Sequence, residues 1–466
     1  MAIDSHGRRR NAPSGMRIAG ACATLALTLL LILAPPCLGC TTILVGKKAS
    51  ETGYCLMAHN ENDDVVDCTV VAVVPAATHE PGSRYRLFYG GTVPLPEETL
   101  GYVATKVYDK SLIPGDVTDL INDHQVTIAN NWAPGKCDPK GRTILWSELT
   151  ELVGLQATSA REAVLIMGAL VEEYGLKWGG TMYGIADPDE AWWVEICGKQ
   201  WVAQRVGDGR ATMRANSYRI GRIDFTDTGH LRYMWSPGVK SFARKRGWWR
   251  PAQGPFNWRR AYHWRGEMEW AADNTVRHRM VARYLKRLMA RDGKVTRTGL
   301  MKILRSHYEG TRWYNHRLRP YTVCNRYNIA SSVSELRGDL PAGIGGVLWT
   351  CFAEPCSNGF FPIYQGVTAL PAEWTYGAYR WAPGSAYWAC RSLSHWVGKA
   401  FGPRHREIGR RWRAFERAEF AAQADVEAAA LDAYEGGDPA AAWEILTTHT
   451  GQLARDAYVK TRTFRR

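Results

Sequence analysis

The sequence predicts an α+β fold in which antiparallel sheets are covered by helices. β-Branched and apolar segments form two blocks, at 41–75 and 181–221, and helical periodicity appears at 159–175. Helical spacing returns at 273–305 and dominates 401–466. Because strands and helices come in blocks and do not alternate one by one, repeated βαβ units are not expected.

The chain begins with a segment typical of an export signal. Four arginines precede the apolar run "IAGACATLALTLLLILA" (18–34), and "PPCLG" then leads into Cys40. The run is slightly short for a stable membrane span, and Met16 is an alternative start. We therefore predict a signal peptide at 1–39, cleaved before Cys40, and a periplasmic or secreted protein. An uncleaved N-terminal anchor is the alternative.

The first elements after Cys40 are predicted to be strands. "TTILVG" (41–46) and "YCLMAH" (54–59) flank a polar turn and predict a hairpin. Residues 67–75 predict a third strand, and a loop rich in Gly and Pro is expected from there to about 117. "INDHQVTIANN" (121–131) predicts a turn into a short strand.

The clearest helix is predicted at 159–175. Ser159 and Glu162 have the spacing of a capping box, and Gly175 closes the helix. Residues 181–206 predict a meander of three strands, and 211–221 are expected to continue that sheet.

The remaining pattern completes the domain organisation. Residues 345–367 again resemble strands, and two helices end the chain. We predict a signal peptide (1–39), a catalytic domain at 40–400 and a C-terminal helical extension at 401–466 that packs on the same domain.

The formal net charge of +14 is concentrated in the runs at 240–250 and 402–413. This charge is compatible with association with an anionic cell envelope. Nucleic acid is not expected, because neither a groove-reading motif nor zinc-finger spacing occurs. A small peptide substrate and a homo-oligomer remain as partner predictions.

The chain has 11 cysteines, two of them in the leader, and reserving Cys40 for chemistry leaves an even set. In an exported protein such a set permits disulfides, whose pairing the sequence does not give. Cys and His do not cluster at zinc spacing, so neither a metal nor another cofactor is predicted.

Cys40 at a free N-terminus would carry its own base. An ordinary thiol is only slightly ionised at neutral pH and needs a base nearby. An α-amine has a pKa of about 7.7–8.0, so it can accept the thiol proton. Lipidation of Cys40, suggested by "CLGC", and a disulfide at the strand start are the alternatives.

The stretch "CTTILVGKKAS…G…AHNEND" resembles the mature N-terminus of the dipeptidase family of N-terminal-nucleophile cysteine hydrolases. This family is related to secernins and more distantly to penicillin V acylases and bile salt hydrolases. "INDHQVTIAN", "GIADPDEAWWVEICGKQWVAQRV" and "RANSYRIG" are similar to later segments, in the same order. The resemblance extends over nearly all of 40–460. It implies a four-layer αββα sandwich of two stacked antiparallel sheets with helices outside.

The resemblance also implies site residues. Cys40 matches the nucleophile and its α-amine the base. Asn122 and Asn216 match amides that hold the oxyanion in the acylase relatives, a contact worth roughly 3–4 kcal/mol of barrier.

At two positions this sequence departs from the family. His59 and Asn62 stand where the family has Arg and Asp. His59 could donate a hydrogen bond to Cys40. Asn62 could accept one from the α-amine, or Asp63 could do so after a local shift. Reduced or altered activity is therefore an open alternative.

The resulting functional hypothesis is an exported cysteine peptidase that hydrolyses dipeptides or short peptides through a thioester. One alternative is an amidase or acyltransferase that acts on N-acyl or cell-wall peptides. The other is a non-catalytic, lipid-anchored envelope protein on the same scaffold.

Overall fold

The computed structural model describes residues 39–108, 116–138, 140–264, 268–314 and 322–465. The predicted signal peptide therefore lies outside the described residues, except for Gly39. The strands are β1 (Thr41–Val45), β2 (Leu56–Asn62), β3 (Cys68–Val74), β4 (Ala77–Thr78), β5 (Arg84–Arg86), β6 (Thr92–Pro94), β7 (Glu98–Thr99), β8 (Tyr102–Tyr108), β9 (Asp116–Asn122), β10 (Thr127–Trp132), β11 (Gly180–Ala186), β12 (Ala191–Cys197), β13 (Gln200–Arg205), β14 (Ala211–Arg214), β15 (Tyr233–Trp235), β16 (Asn328–Glu335), β17 (Val347–Phe352) and β18 (Phe361–Tyr364).

The helices alternate with these strand blocks. They are α1 (Trp146–Gly154), α2 (Ala160–Tyr174), α3 (Val239–Lys245), α4 (Trp258–Tyr262), α5 (Met268–Asp292), α6 (Arg297–Leu304), α7 (Ala342–Gly345), α8 (Ala372–Thr375), α9 (Ala386–Lys399), α10 (Phe401–Glu435) and α11 (Pro439–Thr463). A 3-10 turn spans Pro251–Gln253.

The strands form two large antiparallel sheets. The first has the order β14-β1-β2-β16-β17-β18, and the second β15-β13-β12-β11-β10-β9-β8-β3. Strand β1 of the first sheet packs on β10, β11 and β12 of the second. The approach is close at Gly184, where an added Cβ would lie 2.9 Å from Cγ2 of Thr42.

Helices cover the outer face of each sheet. On the second sheet, α1 contacts β9 and β10, and α2 contacts β11, β12 and β13. On the first sheet, α6 contacts β2 and β16, while α9 contacts β17 and α11 contacts β18. The prediction of a four-layer αββα sandwich is confirmed.

Several local predictions are also confirmed. The β1–β2 hairpin, the β11–β13 meander and the two C-terminal helices form as expected. Helix α2 begins at Ala160. Ser159 is its N-cap, and the Ser159 Oγ accepts a hydrogen bond from the Glu162 amide at 3.2 Å. The capping box is only half formed, because the Glu162 carboxylate accepts from Thr158 instead.

Two strand predictions are wrong. The expected loop before residue 117 contains β8, which pairs with β3 and β9 inside the second sheet. Strand β14 pairs with β1 of the first sheet, although its segment was expected to continue the second. In both cases the pairing is set by contacts distant in sequence, which local propensity does not report.

The disulfides that the sequence permits do not form among the described cysteines, whose thiols are all free and buried. Among the described residues, no helix combines the length and apolar composition that a membrane span requires.

Candidate active site

Cys40 lies immediately before β1 and is buried between the two sheets, with only 5% of its surface exposed. Its Sγ donates a hydrogen bond to Oε1 of Glu61 at 3.0 Å and lies 3.8 Å from the backbone oxygen of Asn62. Burial raises the pKa of the Cys40 thiol well above its ordinary value, and the charge of Glu61 raises it further. In the chain with Gly39 attached, the thiol is therefore protonated.

Strand periodicity brings Glu61 and His59 to the face that Cys40 occupies. Thr42 of β1 pairs with His59 of β2, and side chains two residues apart in a strand share a face. His59 Nε2 lies 2.9 Å from Glu61 Oε2, and His59 Nδ1 lies 2.8 Å from Thr42 Oγ1. His59 therefore reaches Cys40 only through Glu61, and the predicted direct hydrogen bond to the thiol does not form.

These contacts determine which atom is the donor in each hydrogen bond of the site. Thr42 Oγ1 donates its single proton to Oδ1 of Asn131 at 2.5 Å, so His59 Nδ1 must donate to Thr42. Burial lowers the pKa of His59 to about 4 and raises that of Glu61 to about 8. Near neutral pH both groups are therefore uncharged, and the Glu61 carboxyl donates to His59 Nε2 while its other oxygen accepts from the thiol.

The carbonyl of Gly39, the residue before Cys40, is held by two donors. Asn62 Nδ2 donates to Gly39 O at 2.7 Å, and the guanidinium of Arg277 donates to the same oxygen. Arg277 also donates to the Cys40 carbonyl at 2.9 Å. The Asn62 side chain is fixed in turn by Asn328, whose Nδ2 donates to its Oδ1 at 2.5 Å. Asn62 thus contacts the carbonyl that precedes the Cys40 nitrogen.

A bulge in β16 allows this last contact. The register of β16 against β2 shifts between Asn328 and Ala330. Bulges of this kind redirect side chains and are frequent beside functional sites. Here the shift brings Asn328 opposite Asn62 at the end of β2.

Asn216 also contacts the Arg277 guanidinium. Its Oδ1 accepts from Arg277 Nη1 at 3.4 Å, and its Nδ2 donates to Trp132 O at 2.8 Å. Its backbone nitrogen donates to Asn274 Oδ1 at 3.0 Å. Asn216 is therefore near the Cys40 carbonyl, and its contacts orient the arginine.

Asn122 does not belong to this group, and its predicted oxyanion role is wrong. It ends β9 at the turn into β10. Its Nδ2 donates to the carbonyls of Gly154 and Ala157, and its Oδ1 accepts from the amides of His124 and Val126. Its amide oxygen is therefore committed to the turn, and its amide nitrogen to the end of α1. The asparagine that reaches the site from β10 is Asn131.

Asp63 lies just beyond β2, where its Oδ1 accepts from the Asp64 amide at 2.9 Å. Burial and the neighbouring Glu61 raise the pKa of Asp63 to about 7. Its carboxyl acts on the thiol only through space, and this effect raises the thiol pKa.

The sequence reasoning missed Glu61, Thr42, Asn131, Arg277 and Asn328. Glu61 could have been found from its spacing, since it lies two residues after His59 on a predicted strand. Arg277 and Asn328 belong to elements far away in sequence, and no local pattern links them to Cys40.

The chain is similar to known peptidases along most of its length. The model of Peptidase family C69 matches residues 39–413. A probable dipeptidase of Salmonella dublin is 27% identical over 362 residues, 71% of this chain and 82% of the relative. A dipeptidase of Bifidobacterium longum (strain NCC 2705) is 25% identical over 425 residues, 78% of each chain. Among solved structures, a mutant conjugated bile acid hydrolase from Clostridium perfringens matches with a TM-score of 0.40 and 10% identity, over 70% of this chain and 92% of that one.

The fold and the matched family define the protein as a hydrolase of the αββα class. Because the family model covers most of its length, the chain belongs to Peptidase family C69 and is a peptidase. The family resemblance predicted from the sequence is thereby confirmed.

Proposed function

We propose that the protein is a dipeptidase whose nucleophile is the Cys40 thiol and whose base is the α-amine of Cys40. The observation that carries this proposal is the carbonyl of Gly39, the residue before Cys40, which Asn62 and Arg277 hold with two hydrogen bonds. A substrate carbonyl bound to the same donors would lie within reach of the thiol. The donors would then stabilise the negative charge that develops on its oxygen.

The protonation states of the site leave the amine as the base. The thiol is protonated and needs a proton acceptor. Glu61 is the nearest carboxyl, but its pKa of about 8 means that it already holds a proton near neutrality. Removal of residues 1–39 would free an amine on the same residue, with a pKa of about 7.7–8.0. The proposed enzyme therefore requires processing before Cys40.

The proposed reaction then has two halves. Cys40 Sγ attacks the peptide carbonyl carbon while the α-amine takes the thiol proton and delivers it to the leaving amine. This step breaks the C–N bond and leaves the first residue as a thioester on Cys40. Water then attacks the thioester, with the α-amine as base, and its proton returns to the sulfur as the free acid leaves.

The arginines that surround His278, Arg277 among them, favour a substrate with a free carboxylate. Arg277 contacts the Cys40 carbonyl, and His278 Nε2 accepts from Arg219 Nε at 3.1 Å. Burial and the nearby Arg219, Arg214 and Arg277 lower the pKa of His278 to about 2. Such a positive region would attract the C-terminal carboxylate of a dipeptide.

The first test compares Cys40→Ala with Cys55→Ala in the mature protein. Both replace a buried cysteine at the β1–β2 hairpin, but Cys55 lies outside the network described above. We expect Cys55→Ala to hydrolyse a dipeptide panel at the wild-type rate and Cys40→Ala to lose activity. Equal turnover by the two variants would contradict the proposal.

Dipeptide amides should be poorer substrates than free dipeptides, because they lack the carboxylate that the positive region would bind. The reverse order would contradict the role given to that region.

The second test is the intact mass of the protein isolated from its cell envelope or medium. Our proposal includes export, so we expect a chain that begins at Cys40 with a free amine. An acylated Cys40 has no free amine and would favour the lipid-anchored alternative. Turnover of N-acyl peptides in preference to dipeptides would instead favour an amidase or acyltransferase.

A further inference from the structure

A second group of reactive side chains lies outside the site around Cys40. It consists of His307, Cys324 and Cys356, all buried, whose potential ligand atoms lie within 4.8 Å of one another. We call this group the Cys2His cluster. Its members come from three separate segments: the chain after α6, the chain before β16 and the loop after β17.

The histidine of the Cys2His cluster is oriented by a carboxylate. His307 Nδ1 lies 3.0 Å from Oε1 of Glu309, so its other ring nitrogen, Nε2, is the one available to the two thiols. The backbone nitrogen of His307 also donates to the Glu309 carboxylate. A carboxylate behind a histidine, which fixes the ring and raises its basicity, is the usual arrangement for a zinc-bound histidine.

The donor atoms of the cluster suit a divalent cation. They are one imidazole nitrogen and two sulfur atoms, and all three side chains are buried. Buried charges in proteins are paired or coordinate metals, and two thiolates would neutralise a divalent ion.

The backbone at the cluster is held in a conformation that costs energy. Tyr308, directly after His307, is fully buried and has a φ of +63°, a value that favours glycine. Such strain persists where surrounding contacts fix the chain and is frequent at ligand clamps. The Cys324 amide donates to the Ser306 carbonyl at 3.1 Å and so joins two of the three segments.

We propose that His307, Cys324 and Cys356 bind a Zn²⁺ ion through one nitrogen and two sulfur atoms. Zinc prefers this ligand set and binds it tetrahedrally, with Zn–S near 2.3 Å and Zn–N near 2.0–2.1 Å. Such an ion separates two sulfur ligands by about 3.8 Å. Ligand atoms that now lie within 4.8 Å of one another would therefore need to close by roughly 1 Å. A cavity of about 990 Å³, lined in part by Cys356, Glu309 and His405, adjoins the cluster.

The zinc ion would stabilise the position of β2, the strand that carries His59 and Glu61. Asn60 points to the opposite face of β2, where its Nδ2 donates to the carbonyls of Leu304 and Val323, both at 3.0 Å. Val323 is adjacent to Cys324, and Leu304 lies three residues before His307. A metal that joins the two segments would fix both carbonyls behind the active-site strand.

The test measures zinc in the full chain purified under reducing conditions in the presence of Zn²⁺. We expect one Zn²⁺ per chain by elemental mass spectrometry, thiolate-to-metal charge-transfer absorption after replacement by Co²⁺, and a lower Tm after chelation. Zinc should be lost in Cys324→Ser and Cys356→Ser. The matched control Cys390→Ser changes a buried thiol in α9 and should retain zinc.

A further variant covers the case in which the serine variants do not fold. The Glu309 side chain is 56% exposed, so Glu309→Gln should fold, and its zinc affinity should fall by about 10-fold to 100-fold. Absence of zinc from the folded wild-type protein would overturn the proposal, whether the two thiols are then free or joined in a Cys324–Cys356 disulfide. Zinc retained in full by folded Cys324→Ser or Cys356→Ser would overturn it as well.

Discussion

Replacement of Glu61 by glutamine should make the protein more stable than the wild type at alkaline pH. The glutamine side chain of Glu61→Gln would keep both contacts of the neutral carboxyl: its oxygen can accept from the Cys40 thiol, and its NH2 group can donate to His59 Nε2. It cannot ionise, however. The two proteins should therefore have similar stability near pH 4.5, the ordinary pKa of a glutamate, and diverge as the pH rises.

The magnitude follows from the shifted pKa values. Burial raises the pKa of Glu61 from 4.5 to about 8, so between these values the folded state keeps a proton that the unfolded chain has lost. The wild type thus loses about 1.4 kcal/mol of stability per pH unit in this window. His59, whose pKa falls from 6.5 to about 4, acts in the opposite direction below pH 6.5, and there the two effects nearly cancel.

Only the Glu61 effect remains between pH 6.5 and 8, where it amounts to about 2 kcal/mol. The assay is urea unfolding of both proteins across this range. The free energy of unfolding of Glu61→Gln minus that of the wild type should rise by about 2 kcal/mol. In the control Glu98→Gln, which changes an exposed side chain, the difference should not depend on pH. A constant difference for Glu61→Gln would refute the reasoning and would indicate that Glu61 is ionised beside a neutral His59.

Three further substitutions test other contacts. Asn122→Ala should lower the free energy of unfolding by about 2–4 kcal/mol because it removes two hydrogen bonds in the β9–β10 turn and two to the end of α1. Its kcat per folded molecule should not change, and a lost kcat would restore the oxyanion role. Arg277→Met should lower kcat/KM about 100-fold or more in steady-state assays of folded protein, since it removes a carbonyl donor; an unchanged value would exclude that role. Gly184→Ala should cost about 1–3 kcal/mol in urea unfolding, because its Cβ would crowd Thr42. A variant as stable as the wild type would mean that the sheets can separate locally.

The part of the site nearest Cys40 could be predicted from the sequence because it is local. A polar turn between two apolar segments predicts the β1–β2 hairpin, and the family resemblance singles out Cys40. The two-residue period of β2 then assigns His59 and Glu61 to one face. None of these steps requires knowledge of how the sheets stack.

The rest of the site depends on the stacking of the two sheets. Asn122 and Asn131 belong to the same hairpin, and their residue type does not reveal which end of that hairpin faces Cys40. Strand β1 contacts β10, and Thr42 of β1 donates a hydrogen bond to Asn131 of β10. Asn131 is therefore the asparagine that reaches the site. Strand β16 was missed for a related reason: "NIASSVSE" is fully buried yet largely polar, so its hydrophobic pattern is weak.

The alternation of side chains along β2 connects the two proposed sites. His59 and Glu61 face the second sheet, and Asn60 faces the segments that carry His307 and Cys324. A one-residue slip of β2 would exchange these faces, bring Asn60 to the thiol and leave Glu61, which has at most one proton to donate, facing two backbone carbonyls. The two Asn60 hydrogen bonds therefore fix the register on which the Cys40–Glu61 contact depends. Any bond that joins the Leu304 and Val323 segments, including the proposed zinc site, stabilises that register from the face opposite the chemistry.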